Sequence, residues 1–348
     1  MNTSLIKTGL DMLYYSGAHR VMAPYTSGIG ALFTLHHVRP PRDAGFQPNH
    51  ILEVTPAFLE SFVRSVKARG YDFVSLDEAF RRLVLPLNAR PFVSLTFDDG
   101  YRDNFEYAYP ILKRHKIPFT IYITSSFCDG EGELWWVALE RVIAKAPVLE
   151  LTFGGEDHFY RLDNDAARHA AFQDIYAWLR ATDEDTQRSF MRELCAAHGL
   201  NMAALCSELV MNWDELRLLA ADPMVTIGAH TAGHYAIAKL DEERARREIV
   251  DGAKEIERQL GVYPQHFSFP YGDETVAGPR DFALAAELGF KTAVTTRKGM
   301  LFAEHADHLT ALPRVSLNGE YQTLKYVDVF LSGAPFLLWN GFKRLNVA

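Results

Sequence analysis

Two short stretches of this 348-residue chain hold side chains suited to hydrolytic chemistry. "SLTFDDGYRDN", residues 94–104, ends an apolar run on adjacent acids, Asp98 and Asp99, followed by a glycine. Neighbouring carboxylates repel each other, a cost more easily borne where a cation binds one and the other works as a base. The same residues also suit an Asp-Gly turn in which one aspartate merely caps the next helix. "VTIGAHTAGH", residues 225–234, ends another apolar run with His230 and His234, four residues apart. Neutral imidazoles at that spacing can reach one ion. A lone histidine there would read as structural. Two of them, with a strand-end acid pair elsewhere, point to a two-histidine, one-carboxylate metal site.

The elements that must position these groups recur along the chain. Short β-branched or aromatic runs such as "GALFTLHH", "PFVSLTF", "PFTIYI", "MVTIGAH", "KTAVTT" and "ALPRVSL" are mostly separated by helix-like segments, an alternation that favours a parallel sheet or barrel. In such folds the strand ends and the loops after them build the active site. Helical periodicity predicts one helix capped by Thr55 and stopped by Gly70, and another running from Asp241 to Gly261. The alternation breaks between about 128 and 222, where a Trp pair and a Gly-Gly turn accompany helical patterns without convincing strands. This stretch reads as a mainly helical insertion packed over one mouth of the barrel.

Composition narrows the function classes. A hydrophobic content of 48% is ample for a core, and a formal net charge of -8 with scattered Lys and Arg excludes a nucleic-acid surface. Three cysteines without close pairing predict a reducing compartment, and the N-terminus offers neither a secretory apolar region nor a membrane span. The expected location is therefore the cytoplasm, with peripheral contact to the inner membrane as a further option. The end segments 1–29 and 321–348 have helical apolar spacing that suits packing on the domain, on a partner subunit or on a membrane surface. Oligomeric state is left open.

With "TFDDG", "HTAGH" and "FPYGD" (269–273) in view, residues 30–320 resemble the NodB-type polysaccharide deacetylases, carbohydrate esterase family 4. That resemblance implies a deformed (β/α)7 barrel with a helical insertion. It also implies Asp98 as base, Asp99, His230 and His234 as ligands of a divalent ion, most often Zn2+ with Co2+ or Ni2+ as alternatives, the Tyr271 backbone N–H as an oxyanion donor, and Pro270 and Tyr271 as substrate-binding residues. The family pattern has an arginine, paired with the base, where this chain has Ser268, and a late histidine that "LPRVSLNG" lacks.

"TLHHVRP" is similar to the early segment of the biofilm poly-N-acetylglucosamine deacetylase branch, which puts His36, with His37 as competitor, in the role of catalytic acid. Arg314 is a candidate to replace the missing arginine or to bind substrate, and Asp273 to orient a histidine. Trp135 and Trp136 would form a sugar-stacking wall or anchor the insertion. The implied reaction is removal of an N-acyl, most often N-acetyl, group from an amino sugar of a bacterial glycan or its lipid-linked precursor. Alternatives are a deformylase or amidase acting on a lipid-linked sugar or small cyclic amide, and a non-catalytic glycan-binding relative.

Overall fold

The computed structural model describes residues 3–43, 45–85 and 89–347. Seven parallel strands close on themselves: β1 (Gly30–Leu35), β2 (Phe92–Phe97), β3 (Phe119–Ile123), β4 (Val225–Ala229), β5 (His266–Ser268), β6 (Thr292–Lys298) and β7 (Leu312–Ser316). They neighbour one another in chain order, and β1 pairs with both β2 and β7, which closes the circuit. The barrel is deformed where pairing thins. β4 and β5 share the single register pair Ala229 and Phe267, and β6 slips against β7 between Val294 and Lys298. At the foot of β1, Gly30 forms an antiparallel bridge with Leu301. This is the expected (β/α)7 architecture.

Alternation along the strands separates two environments. In β2 the outward set Val93, Leu95 and Phe97 joins the apolar layer beneath the helices, while Ser94 and Thr96 are the buried polar set. Leu32, Tyr122, Val294 and Leu312 fill the lumen. Gly228 is required there, because a Cβ would sit 2.4 Å from the Tyr122 ring. The inward phase of β1, β2 and β4 continues one step beyond each strand to His36, Asp98 and His230.

The surrounding helices follow their sequence signals. Thr55 accepts from the Phe58 N–H to cap Pro56–Ala68, and Asp241 accepts from the Arg244 N–H to cap Glu242–Leu260, which stops on Gly261 at φ 76°. Between β3 and β4, helices Trp135–Lys145, Asp165–Ala181, Glu184–Ala197 and Met202–Leu209 enclose a second core. It contains Trp135, Trp136, Leu139, Phe172 and Ile175, joined by Tyr101 from the loop after Asp99. One expectation is corrected here: the insertion also holds an antiparallel hairpin, Val148–Phe153 with Glu156–Arg161. Its first strand alternates, burying Leu149 and Phe153 between exposed neighbours, whereas the second is mostly exposed and charged or polar, so only half of the pair carries an apolar signal. The turn still depends on Gly154 and Gly155, both at positive φ.

The end segments are helical, with Met1, Asn2 and Ala348 outside the described residues. Helices Thr3–Tyr15 and Ala18–Thr26 pack with Leu324–Leu331 and Ala334–Trp339, and the Thr26 hydroxyl donates to the Ser332 carbonyl at 2.5 Å. No described helix is long and apolar enough to cross a membrane.

Candidate active site

Asp98 and Asp99 leave β2 in different directions because Asp99 adopts φ 72°. Aspartate tolerates this left-handed conformation better than most residues. Thr231 at 66°, His234 at 58° and Tyr271 at 60° share it, and strained backbone of this kind persists only where its surroundings over-determine it. The loop 231–235 is held from two sides. Glu248 accepts from the Gly233 N–H at 2.8 Å, and Arg188 of the insertion donates to the Gly233 carbonyl at 2.8 Å while its guanidinium lies 3.7 Å from the Tyr235 ring centre.

These loops bring Asp99, His230 and His234 together, with one potential ligand atom from each inside 4.8 Å of the others. His230 Nδ1 donates to the Ser268 carbonyl at 2.7 Å. A carbonyl only accepts, so the neutral ring carries its proton on Nδ1 and turns the Nε2 lone pair toward Asp99 Oδ1, 3.5 Å away. His234 Nε2 stands 3.2 Å from the same oxygen, which is buried and has no hydrogen-bond partner among the described residues. A buried acceptor facing an imidazole lone pair is unfavourable without a cation between them. The donor set, two imidazoles and one carboxylate, fits a zinc-like divalent ion. Burial pushes the His234 pKa down to about 4, the neutral form a metal requires.

Asp98 is kept apart from this group. Arg314, on β7, grips it with both ends of the guanidinium, Nη1 to Oδ1 at 2.8 Å and Nη2 to Oδ2 at 2.6 Å. The same guanidinium donates to the Thr295 carbonyl at 2.8 Å and to the hydroxyls of Thr96 and Ser268 at 3.1 Å each. Desolvation alone would raise the Asp98 pKa; Arg314 more than offsets it, and the carboxylate is held ionised. The short side chain at 268 leaves the space that Arg314 fills from β7. Arg314 is 1% exposed and stands behind Asp98, outside the cleft lining, so the structure places it as the partner of Asp98 and not where a substrate would touch it.

The cleft has a volume of about 430 Å3 and is lined by His36, Asp98, Asp99, His230, His234 and Tyr271. His36 therefore faces the candidate metal group, and burial lowers its pKa. His37 points away, as strand alternation demands: Nδ1 lies 2.6 Å from Asp103 Oδ2, and the ring stacks on Tyr101 at 3.6 Å. Tyr271 lines the cleft, and its backbone N–H has no acceptor among the described residues.

Trp136 faces the cleft, but Trp135 is buried behind Tyr271, donating from Nε1 to its hydroxyl at 2.8 Å, and Pro270 is buried outside the lining. The aromatic wall comes instead from Phe172 and Tyr176, four residues apart on one helix face, with Arg180 one turn further. Asp273 pairs with Arg180 at 2.8 Å and accepts from the Thr275 N–H, so it does not orient a histidine.

Comparison with known proteins agrees with this geometry. The sequence profile described as polysaccharide deacetylase matches residues 88–150 and 184–293. The chain belongs to that family. Asp98, Asp99, His230, His234 and Tyr271 lie inside the matched segments, whereas His36 and Arg314 lie outside them. YxkH of Bacillus subtilis, assigned as a polysaccharide deacetylase, is 35% identical over 75 residues, 21% of this chain, and the match spans only 26% of the relative. Among solved structures, the deacetylase PplD of Streptococcus pyogenes superposes with a TM-score of 0.55 at 18% identity, covering 83% of this chain and 92% of that one. A de-N-acetylase from Aggregatibacter actinomycetemcomitans does so at 0.54 and 15%, covering 86% and 99%. Both show the shared fold.

Several residues that build the site escaped the sequence reading. Asp103 anchors His37 and also accepts from the Val38 N–H, and Asn104 donates to the His36 carbonyl at 2.7 Å. Both stand in the "GYRDN" tail of the acid-pair stretch, where polar residues one turn past a strand-end loop were the available signal. Arg180, Tyr176 and Arg188 belong to the insertion and carry no motif.

Proposed function

We propose that this protein is a metal-dependent hydrolase that removes the N-acetyl group from an amino sugar of a bacterial polysaccharide or its lipid-linked precursor. The observation that carries the reading is the division of labour between neighbouring carboxylates. Asp99 faces two imidazoles, and Asp98 is ionised and oriented by Arg314 beside the same cleft. A divalent ion held by Asp99, His230 and His234 would supply Lewis-acid activation of water and of the amide carbonyl.

The chain's own groups do the rest. Asp98 accepts the proton of the attacking water, and its bidentate contact with Arg314 fixes both the charge and the direction of the receiving lone pair. The Tyr271 N–H donates to the oxygen on which charge develops, a contact of a type whose removal costs about 2.7–4 kcal/mol in the transition state. His36 protonates the departing nitrogen; its lowered pKa makes the imidazolium a strong acid when formed. Tyr176, Phe172 and Trp136 offer aromatic faces to the apolar side of a sugar ring.

The test is amine release from N-acetylglucosamine oligomers and lipid-linked amino-sugar precursors, with Asp98→Asn and His234→Ala as controls. Turnover that survives both changes sinks the reading. Ser268 and the missing late histidine are the features that would favour a glycan-binding relative without turnover. Arg314 beside Ser268 and His36 in the cleft weigh against it.

A further inference from the structure

We propose that the paired end segments form a docking face for an anionic lipid bilayer. This goes beyond the hydrolase reading and does not depend on it. On helix Ala18–Thr26 the residues Arg20, Val21, Pro24 and Tyr25 share one exposed face at helical spacing, with Val21 at 75% and Tyr25 at 71% exposure. The C-terminal segment lies against this helix, where Arg344 donates from Nη2 to the Tyr25 carbonyl at 3.1 Å. It adds Trp339 at 44% and Phe342 at 72% exposure, beside Lys343. Phe342 sits at φ 65°, an uncommon conformation for a bulky residue, held by its N–H on the Leu337 carbonyl at 2.7 Å.

Charge identifies the occupant. Segments 1–29 and 321–348 contain Lys7, Arg20, Lys325, Lys343 and Arg344 against two acids, Asp11 and Asp328, in a chain whose overall formal charge is -8. Both acids are neutralised inside the protein, Asp11 by Lys325 and Asp328 by Arg69. Arg20, Lys343 and Arg344 form no ion pair among the described residues. The face therefore presents three cations that form no ion pair among exposed aromatic and aliphatic side chains, with Glu274 the acid that shares a cavity with Lys343 and Trp339, while the remainder of the molecule is acidic. A second copy of this chain would bring like charges together; an anionic membrane surface complements both the cations and the amphipathic aromatics.

Co-sedimentation of the full chain with vesicles tests this. Vesicles of phosphatidylcholine mixed with phosphatidylglycerol should bind the protein, pure phosphatidylcholine vesicles should bind it far less, and added salt should release it. Arg20→Glu with Lys343→Glu should weaken partitioning by about 30-fold or more, taking a factor of about five for each cation lost near the surface and a further loss from the acids introduced. Tyr25→Ser with Phe342→Ser should weaken it without changing amine release. Absence of binding, or equal binding to both vesicle types, overturns the proposal. So does a dimer in sedimentation velocity that Tyr25→Ser with Phe342→Ser dissociates, since the face would then join two copies.

Discussion

Replacing Arg314 with methionine removes the one cation that forms an ion pair with Asp98 among the described residues, while filling much of the same volume. Asp98 is 2% exposed, and the guanidinium supplies two short contacts to it at 2.8 and 2.6 Å. Breaking a buried pair by deleting one partner costs about 3–5 kcal/mol, because the surviving charge is left without compensation. Asp98→Asn in the same background discharges that site. The double variant should thus lose at least about 2 kcal/mol less than the sum of the single variants, well beyond the ~0.5 kcal/mol of independent sites. Urea unfolding followed by far-ultraviolet circular dichroism measures all four proteins of the cycle.

The pH dependence adds a sign. In the wild type the Asp98 pKa is lowered, so its stabilisation is present above the unfolded value of about 3.9 and is lost as pH falls through the lower folded value. In Arg314→Met burial becomes the dominant influence and raises the folded pKa, against the weaker pull of His230 and His36. That variant's deficit should be largest at neutral pH and shrink on acidification through the raised value. Additive energies, or a deficit independent of pH, would show that Arg314 serves packing and not the charge of Asp98.

Other consequences are direct. His234→Ala should reduce zinc bound per chain, read by elemental analysis after dialysis, by about 10-fold or more, because it deletes one of the three proposed protein ligands; unchanged metal content would refute the proposed cluster. His36→Gln should lower kcat by about 10²–10⁴-fold with bound metal intact, and full activity there would remove His36 from the mechanism. Gly272→Ala should reduce both stability and kcat, since Gly272 sits at φ 65° and a Cβ would lie 2.7 Å from the Thr296 nitrogen, forcing the loop that carries Tyr271 to move at a cost of about 1–3 kcal/mol. A variant with wild-type melting and turnover would contradict that.

The sequence by itself determined the groups that chemistry fixes locally. Adjacent aspartates at a strand end, two histidines four residues apart, and alternating strand and helix patterns are short-range features, and each survives as the same local element in the structure. Tertiary structure decided what depends on which strand lies beside which. Arg314 is 216 residues from Asp98, and only closure of β7 against β1 and β6 brings its guanidinium across the lumen to the place left free by Ser268. The choice between His36 and His37 follows from strand phase. One residue turns a side chain from the lumen to the outside, and a pattern of two consecutive histidines does not reveal that phase until β1 is paired with β2. The cleft wall was the least legible part. Tyr176 and Arg180 face the site because the insertion folds over the barrel mouth, and helical spacing alone cannot say which apolar stripe meets a cavity and which fills a core.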